Sequence, residues 1–169
     1  DVRVLPVPLM KGIVGYRVCF STPELSNTLN TITTVAPLRE YTFGVGKNWL
    51  DKLILDFNEL KNIEVGYEFM VDEQINSLYE MTARGRVDIL CRGVNEVLRE
   101  FDRHPAIFSL VLNQSFALYY DLPFFLFMHK DNTALYERLM KGFNTIQENG
   151  VFDRIWEKEF KKSVDFVNL

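Results

Sequence analysis

The sequence predicts an α/β fold, and three observations carry that expectation. Short apolar runs alternate with stretches of helical periodicity along most of the chain. The segment from Ile75 to Glu96 spells helix, strand, polar turn and helix in direct succession. The composition, 47% hydrophobic with 14% aromatic and 25% charged residues, suits a packed core in a chain of 169 residues.

The Ile75–Glu96 segment organises the rest. Ile75, Leu78, Tyr79 and Thr82 recur at helical spacing, and Gly85 is a usual helix stop. Val87 to Cys91 is then a short apolar run, the mark of a strand covered on both faces. Arg92, Gly93, Val94, Asn95 and Glu96 make a polar turn ahead of a second helical pattern. Ligands of parallel α/β sheets sit at the carboxyl ends of the strands, so Arg92–Glu96 is the first place to look for a site.

Taken in order, Val2 to Pro8 alternates apolar residues with prolines and reads as an extended edge segment. Val18-Cys19-Phe20 is an apolar strand ending at Ser21-Thr22-Pro23, and Thr28 to Leu38 reads as loop with a short helix. Tyr41 to Gly46 is a second strand. Leu50, Leu53, Ile54 and Phe57 mark a helix, with Asn48 as its expected cap and Asp51 suited to the dipole of its first turn. Ile63 to Met70 is a third strand, and Asp72 is the expected cap of the helix ending at Gly85. After the organising strand, Asn95 to Phe101 is helical and His104-Pro105 ends it. Ile107–Leu112 and Phe116–Leu118 are strand-like, Tyr119–Pro123 is a turn, and Phe124–Met128 is a deeply apolar strand expected in the core. Leu135, Leu139, Phe143 and Ile146 define a helix stopping at Asn149-Gly150; Phe152, Ile155, Trp156 and Phe160 define a last one.

The bulk numbers exclude some partners. A net charge of -4 argues against nucleic acid and anionic membrane surfaces. No apolar run reaches the roughly 18 residues that a membrane span needs. The chain begins at Asp1 with neither a methionine nor a signal peptide, and the expectation is a processed or trimmed product. Cys19 and Cys91 lie in apolar strand-like runs and read first as buried reduced thiols; a disulfide is the alternative if the protein is extracytoplasmic.

Three pieces together resemble the bacterial family 3 extracellular solute-binding proteins, of the type II periplasmic-binding-protein fold. The first is the strand, glycine turn and helix of Tyr41–Phe57, and the second is Ala83-Arg84-Gly85-Arg86-Val87-Asp88 before a strand. The third is the carboxyl end: the strand at Phe124–Met128, polar Lys130-Asp131-Asn132, a helix, then Asn149-Gly150-Val151-Phe152-Asp153-Arg154-Ile155-Trp156. Within the family, Arg92-Gly93-Val94-Asn95-Glu96 and Gly12-Ile13-Val14-Gly15-Tyr16-Arg17 look like a bacterial subgroup described only as ABC-transporter components. The resemblance implies βα units around a mainly parallel sheet, with one complete lobe and part of a second. Residues 1–20 would be an extended segment and hinge strand, 21–117 lobe two, and 118–169 the return hinge strand and helices of lobe one. The opening part of lobe one would be absent, and with it the arginine that clamps a ligand carboxylate in this family.

Several residues are candidates for ligand contact. Arg92 reads either as a bidentate carboxylate clamp or as the partner of Glu96 or Glu100. Asn95 reads as a ligand contact or as a helix cap, and Lys47, Asn48 and Trp49 follow a glycine at a helix start whose N–H groups favour anions. Trp49 could stack on a ligand or pack between lobes. Tyr16 and Arg17 lie at the proposed crossing. Catalysis finds little support: His104 and His129, the only histidines, have no third ligand at metal spacing, and the sequence contains no P-loop, dinucleotide fingerprint or nucleophile elbow. No enzyme activity and no cofactor are expected. The function implied is capture of a small polar, amino acid-like solute in the periplasm for an ABC-type membrane permease. A sensory input domain is the second reading, and a dehydratase-like enzyme the third.

Overall fold

The computed structural model describes residues 1–66 and 71–168. Two sheets organise them. A two-stranded ribbon pairs β1 (Val2–Leu5) with β7 (Leu126–His129). The main sheet contains β2 (Tyr16–Ser21), β3 (Phe43–Gly46), β4 (Asn62–Val65), β5 (Ile89–Gly93) and β6 (Val111–Tyr119), in the order β4-β3-β5-β2-β6. The helices are α1 (Pro23–Leu29), α2 (Leu50–Phe57), α3 (Val71–Ala83), α4 (Val94–Phe101), α5 (Thr133–Glu148) and α6 (Val151–Val167).

The sheet is mixed rather than mainly parallel. β3 runs parallel to β4 and β5, joined through α2 and α3, because parallel neighbours need a crossover. β2 enters between β5 and β6 and is antiparallel to both. Successive residues of β2 and β5 supply two different cores. Val18, Phe20 and Leu90 pack with Leu78 and Tyr79 of α3 and Val94 and Val97 of α4. Cys19 and Ile89 pack on the opposite face with Leu29 of α1, Leu55 of α2 and Phe43. Phe20, Phe43 and Tyr79 are buried almost completely, each contributing about 1.5–3 kcal/mol of transfer free energy.

Several local expectations shift. The strand expected at Val87–Cys91 lies two residues later, so Arg92 belongs to the strand instead of following it. Its burial rests on ion pairing, which an apolar pattern does not register. Trp49, not Asn48, occupies the N-cap of α2, and Asn48 adopts a left-handed conformation. Gly93 caps α4; Asn95 sits in the first turn, and the Glu96 carboxylate accepts the Gly93 N–H at 3.2 Å. Asp72 likewise lies within the first turn of α3. Among the described residues the third strand spans Asn62–Val65, and residues 67–70 of its expected span lie outside them. Ile107 belongs to a 3-10 turn, Pro105–Ser109. β6 is one strand with a polar irregularity, where Asn113 Oδ1 accepts the N–H groups of Ser115 and Phe116.

Cys19 and Cys91 are joined in a disulfide, which replaces the expectation of reduced thiols. They face each other directly across β2 and β5. An apolar pattern places each in a strand but does not reveal which residues of two strands pair.

The expectation that Phe124–Met128 forms core is overturned. Phe124 is 55% exposed and Phe127 68%. Residues that pair in an antiparallel ribbon share a face. Arg3, Met128, Leu5 and Leu126 share one face, where the Arg3 guanidinium lies 3.5 Å above the ring of Tyr136 in α5. Val2, Val4 and Phe127 line the other, and all three are exposed. The run is as apolar as a core strand, but among the described residues no element covers that second face.

Candidate functional site

A pocket of about 380 Å³ opens at the carboxyl ends of β3 and β5, where α2 and α4 begin. Arg17, Trp49, Asp51, Arg92, Asn95 and Glu96 supply its polar and aromatic wall. The fold brings them together in a simple way. β2 delivers Arg17, the turn after β3 delivers Trp49 and Asp51, and the end of β5 with the first turn of α4 delivers the rest.

Arg17 is buried and held along its Nε and Nη2 side. Its Nε donates to Tyr120 Oη at 2.7 Å and lies 3.0 Å from Asp51 Oδ1, and its Nη2 donates to Asp51 Oδ2 at 3.3 Å. Tyr120 Oη in turn donates to Asp51 Oδ1 at 2.8 Å, closing a three-residue network. Burial, with the Asp51 carboxylate beside it and Arg17 opposing, pushes the Tyr120 phenol up to about 12. Glu96 stands between the two cations, its Oε2 3.6 Å from Arg17 and 3.2 Å from Arg92.

Arg92 is the most deeply buried cation of the site. Its Nε donates to both oxygens of Glu100 at 3.0 Å, Nη2 donates to Glu100 Oε1, and its guanidinium faces the Trp49 ring. Tyr79 Oη donates to Glu100 Oε2 at 2.6 Å. Burial alone pushes the Glu100 carboxyl up, but the Arg92 charge and hydrogen bonds outweigh it and hold the group below its ordinary value. Burial and the Glu100 charge push the Tyr79 phenol up. Of the two sequence readings of Arg92, pairing with Glu100 and Glu96 describes its contacts.

Gly93 leaves the room this crowding needs. A Cβ there would stand 2.5 Å from Arg17 Nη1, 2.8 Å from Asn95 Oδ1 and 2.9 Å from Glu96 Oε2. Asn95 Oδ1 is enclosed and accepts no hydrogen bond from protein among the described residues.

Of the residues expected to bind ligand, Arg17, Trp49, Arg92 and Asn95 line the pocket, and Tyr16, Lys47 and Asn48 are not part of its wall. Tyr16 packs against Tyr119 with ring centres 4.6 Å apart and the ring planes tilted by 44°. Lys47 lies on the surface. Sequence reasoning missed the ligation of Arg17 by Asp51 and Tyr120. Asp51 is explained locally as a first-turn acid and Tyr120 as part of a turn, and only the crossing of β2 beside β6 joins them. Among the described residues no three His, Cys, Asp or Glu side chains are grouped to hold a metal ion, and no helix is long and apolar enough to cross a membrane.

No protein-family model matches the chain, and no curated protein matches it. Solved structures do. An ancestral arginine-binding protein bound to glutamine is 17% identical with a TM-score of 0.62, over 94% of this chain and 64% of that one. A binding component of an ABC transporter from Wolinella succinogenes, complexed with lysine, is 13% identical with a TM-score of 0.65, over 94% and 63%. An ancestral amino acid-binding protein, a precursor of cyclohexadienyl dehydratase, is 12% identical with a TM-score of 0.60, over 95% and 61%. The chain thus spans less than two thirds of the length of these structures. The likeness at this identity is one of fold: the α/β architecture is the periplasmic-binding-protein-like one.

Proposed function

We propose that the protein is an extracytoplasmic solute-binding protein that holds a small polar, amino acid-like ligand between two lobes. The observation that carries this reading is the pocket at the ends of β3 and β5, in a fold shared with amino acid-binding structures. Charged groups of both signs face it beside an indole ring, which suits a zwitterion with some apolar surface. Arg17, Trp49, Arg92 and Asn95 are the contacts we assign to the ligand. Lys47, Asn48 and Tyr16 are not part of the pocket wall and would meet ligand only on lobe closure.

The second wall of the cleft belongs to lobe one. In this reading α5, α6 and the β1–β7 ribbon are its carboxyl-terminal part, and its opening βα units lie outside these 169 residues. The loaded protein would act in the periplasm and deliver its solute to an ABC-type permease. No covalent step is required. Asp51 and Glu96 are engaged by arginines and not poised as general acid or base, which favours binding over dehydration chemistry.

Titration calorimetry with L-arginine, L-lysine and L-glutamine tests the proposal. Saturable binding at one site, weakened by Arg17→Ala, is the expected result. Absence of binding across these three and the remaining common amino acids would sink it.

A further inference from the structure

β2 meets its two neighbours with unequal regularity. Toward β6 the register shifts between Val18 and Phe20, and Cys19 has no direct partner on that strand. Toward β5 the register is unbroken from Arg17 opposite Gly93 to Phe20 opposite Leu90, and within it Cys19 is bonded to Cys91. Residues two apart on a strand share a face, so the disulfide lies on the face that carries Arg17 and Gly93.

That alignment matters because Gly93 leaves the Arg17 guanidinium its room. A Cβ at position 93 would overlap Arg17 Nη1. A slip of one residue sends side chains to the opposite face and sets Arg17 against Arg92 or Val94, neither of which leaves that space. A small hollow separates the bond from the site, and Cys91 lines it together with Trp49, Asp51 and Tyr120.

We propose that the Cys19–Cys91 disulfide is a positioning element of the pocket, fixing β2 against β5 so that Arg17 stays opposite Gly93 and within reach of Asp51, Tyr120 and Glu96. The bond does not touch the solute; it acts through Arg17. Its affinity readout rests on the solute-binding reading above, and its geometric readout does not.

The test compares the wild type with the Cys19→Ala/Cys91→Ala double variant, by three measurements. Calorimetry gives stability, NMR gives the exchange rate of the Arg17 Nε–H that donates to Tyr120, and titration gives L-arginine affinity. Loss of the bond should lower the melting temperature, speed Nε–H exchange and weaken binding by about 10- to 100-fold, the usual cost of a misplaced contact group. A fall in melting temperature with Nε–H exchange and affinity unchanged would overturn the proposal and leave the bond a simple staple. Should the wild type bind no amino acid, the solute-binding reading fails, and the Nε–H exchange still decides the positioning role. If the double variant does not fold, wild type reduced in place with a phosphine serves for the same measurements.

Discussion

Arg92 lies with its guanidinium carbon 4.4 Å from the centre of the Trp49 ring, while both oxygens of Glu100 accept its Nε–H. The cation is therefore held between an indole face and a buried carboxylate, in a place that water scarcely reaches. Each charge makes the burial of the other tolerable.

Arg92→Ala should cost about 3–5 kcal/mol, because it leaves Glu100 buried without a counter-ion. The pH dependence should also reverse sign. In the wild type Glu100 is held below its ordinary value, so its contribution is present above the unfolded carboxylate value and is lost as the pH falls through the folded one. Without Arg92, burial alone raises Glu100; the variant is then favoured in acid and loses stability as the pH rises. Denaturant melts of both proteins from acid to neutral pH check this. Parallel curves would show that Glu100 is not the group concerned.

Gly93→Ala separates site from stability. The backbone there is extended, with φ -63°, so an alanine is not strained. Its methyl group would nevertheless press on Arg17, Asn95 and Glu96. The expected cost is about 1–3 kcal/mol, the usual range for overpacking, with a larger proportional loss of solute affinity as Arg17 moves. Calorimetric unfolding beside ligand titration measures the two; unchanged affinity would remove Arg17 from the site.

How far the sequence reveals this arrangement depends on the kind of pattern. α2, α5 and α6 follow from apolar spacing and from Gly150, whose left-handed backbone separates the last two helices. β5 is displaced because Arg92 and Gly93 complete a strand that hydropathy ends at Cys91. The Arg17–Asp51–Tyr120 network joins three distant positions, and no local signal links them. The disulfide is hidden for the same reason, since register is a property of two strands and not of one. Phe127 is the opposite case: its sequence says core, and among the described residues nothing covers its face.

Tyr120 gives an alkaline signature. Its phenol is pushed up to about 12, so the folded state favours the neutral form, and that contribution is lost as the pH rises through this value. Tyr120→Phe removes the group from both states. The wild type should therefore lose stability relative to the variant between its ordinary value near 10 and about 12. Urea melts across that interval supply the comparison. An equal loss in both proteins would show Tyr120 to be no more shielded than a surface tyrosine.

Phe127 discriminates between two accounts of the β1–β7 ribbon. Among the described residues its face is open, so in the 169-residue chain Phe127→Ala should change stability by no more than about 0.5 kcal/mol, as exposed positions do. In a longer protein that supplies the opening βα units of lobe one, the same ring would be enclosed between sheet and helix. The same substitution should then cost about 3–5 kcal/mol, the range for a buried aromatic. Two unfolding curves on each length of chain measure the difference. A large loss in the 169-residue chain at every protein concentration would mean that its own residues cover Phe127 in solution. A loss that grows with concentration would point to a second copy seated on Val4 and Phe127, and equal small losses at both lengths would mean that lobe one does not close over the ribbon.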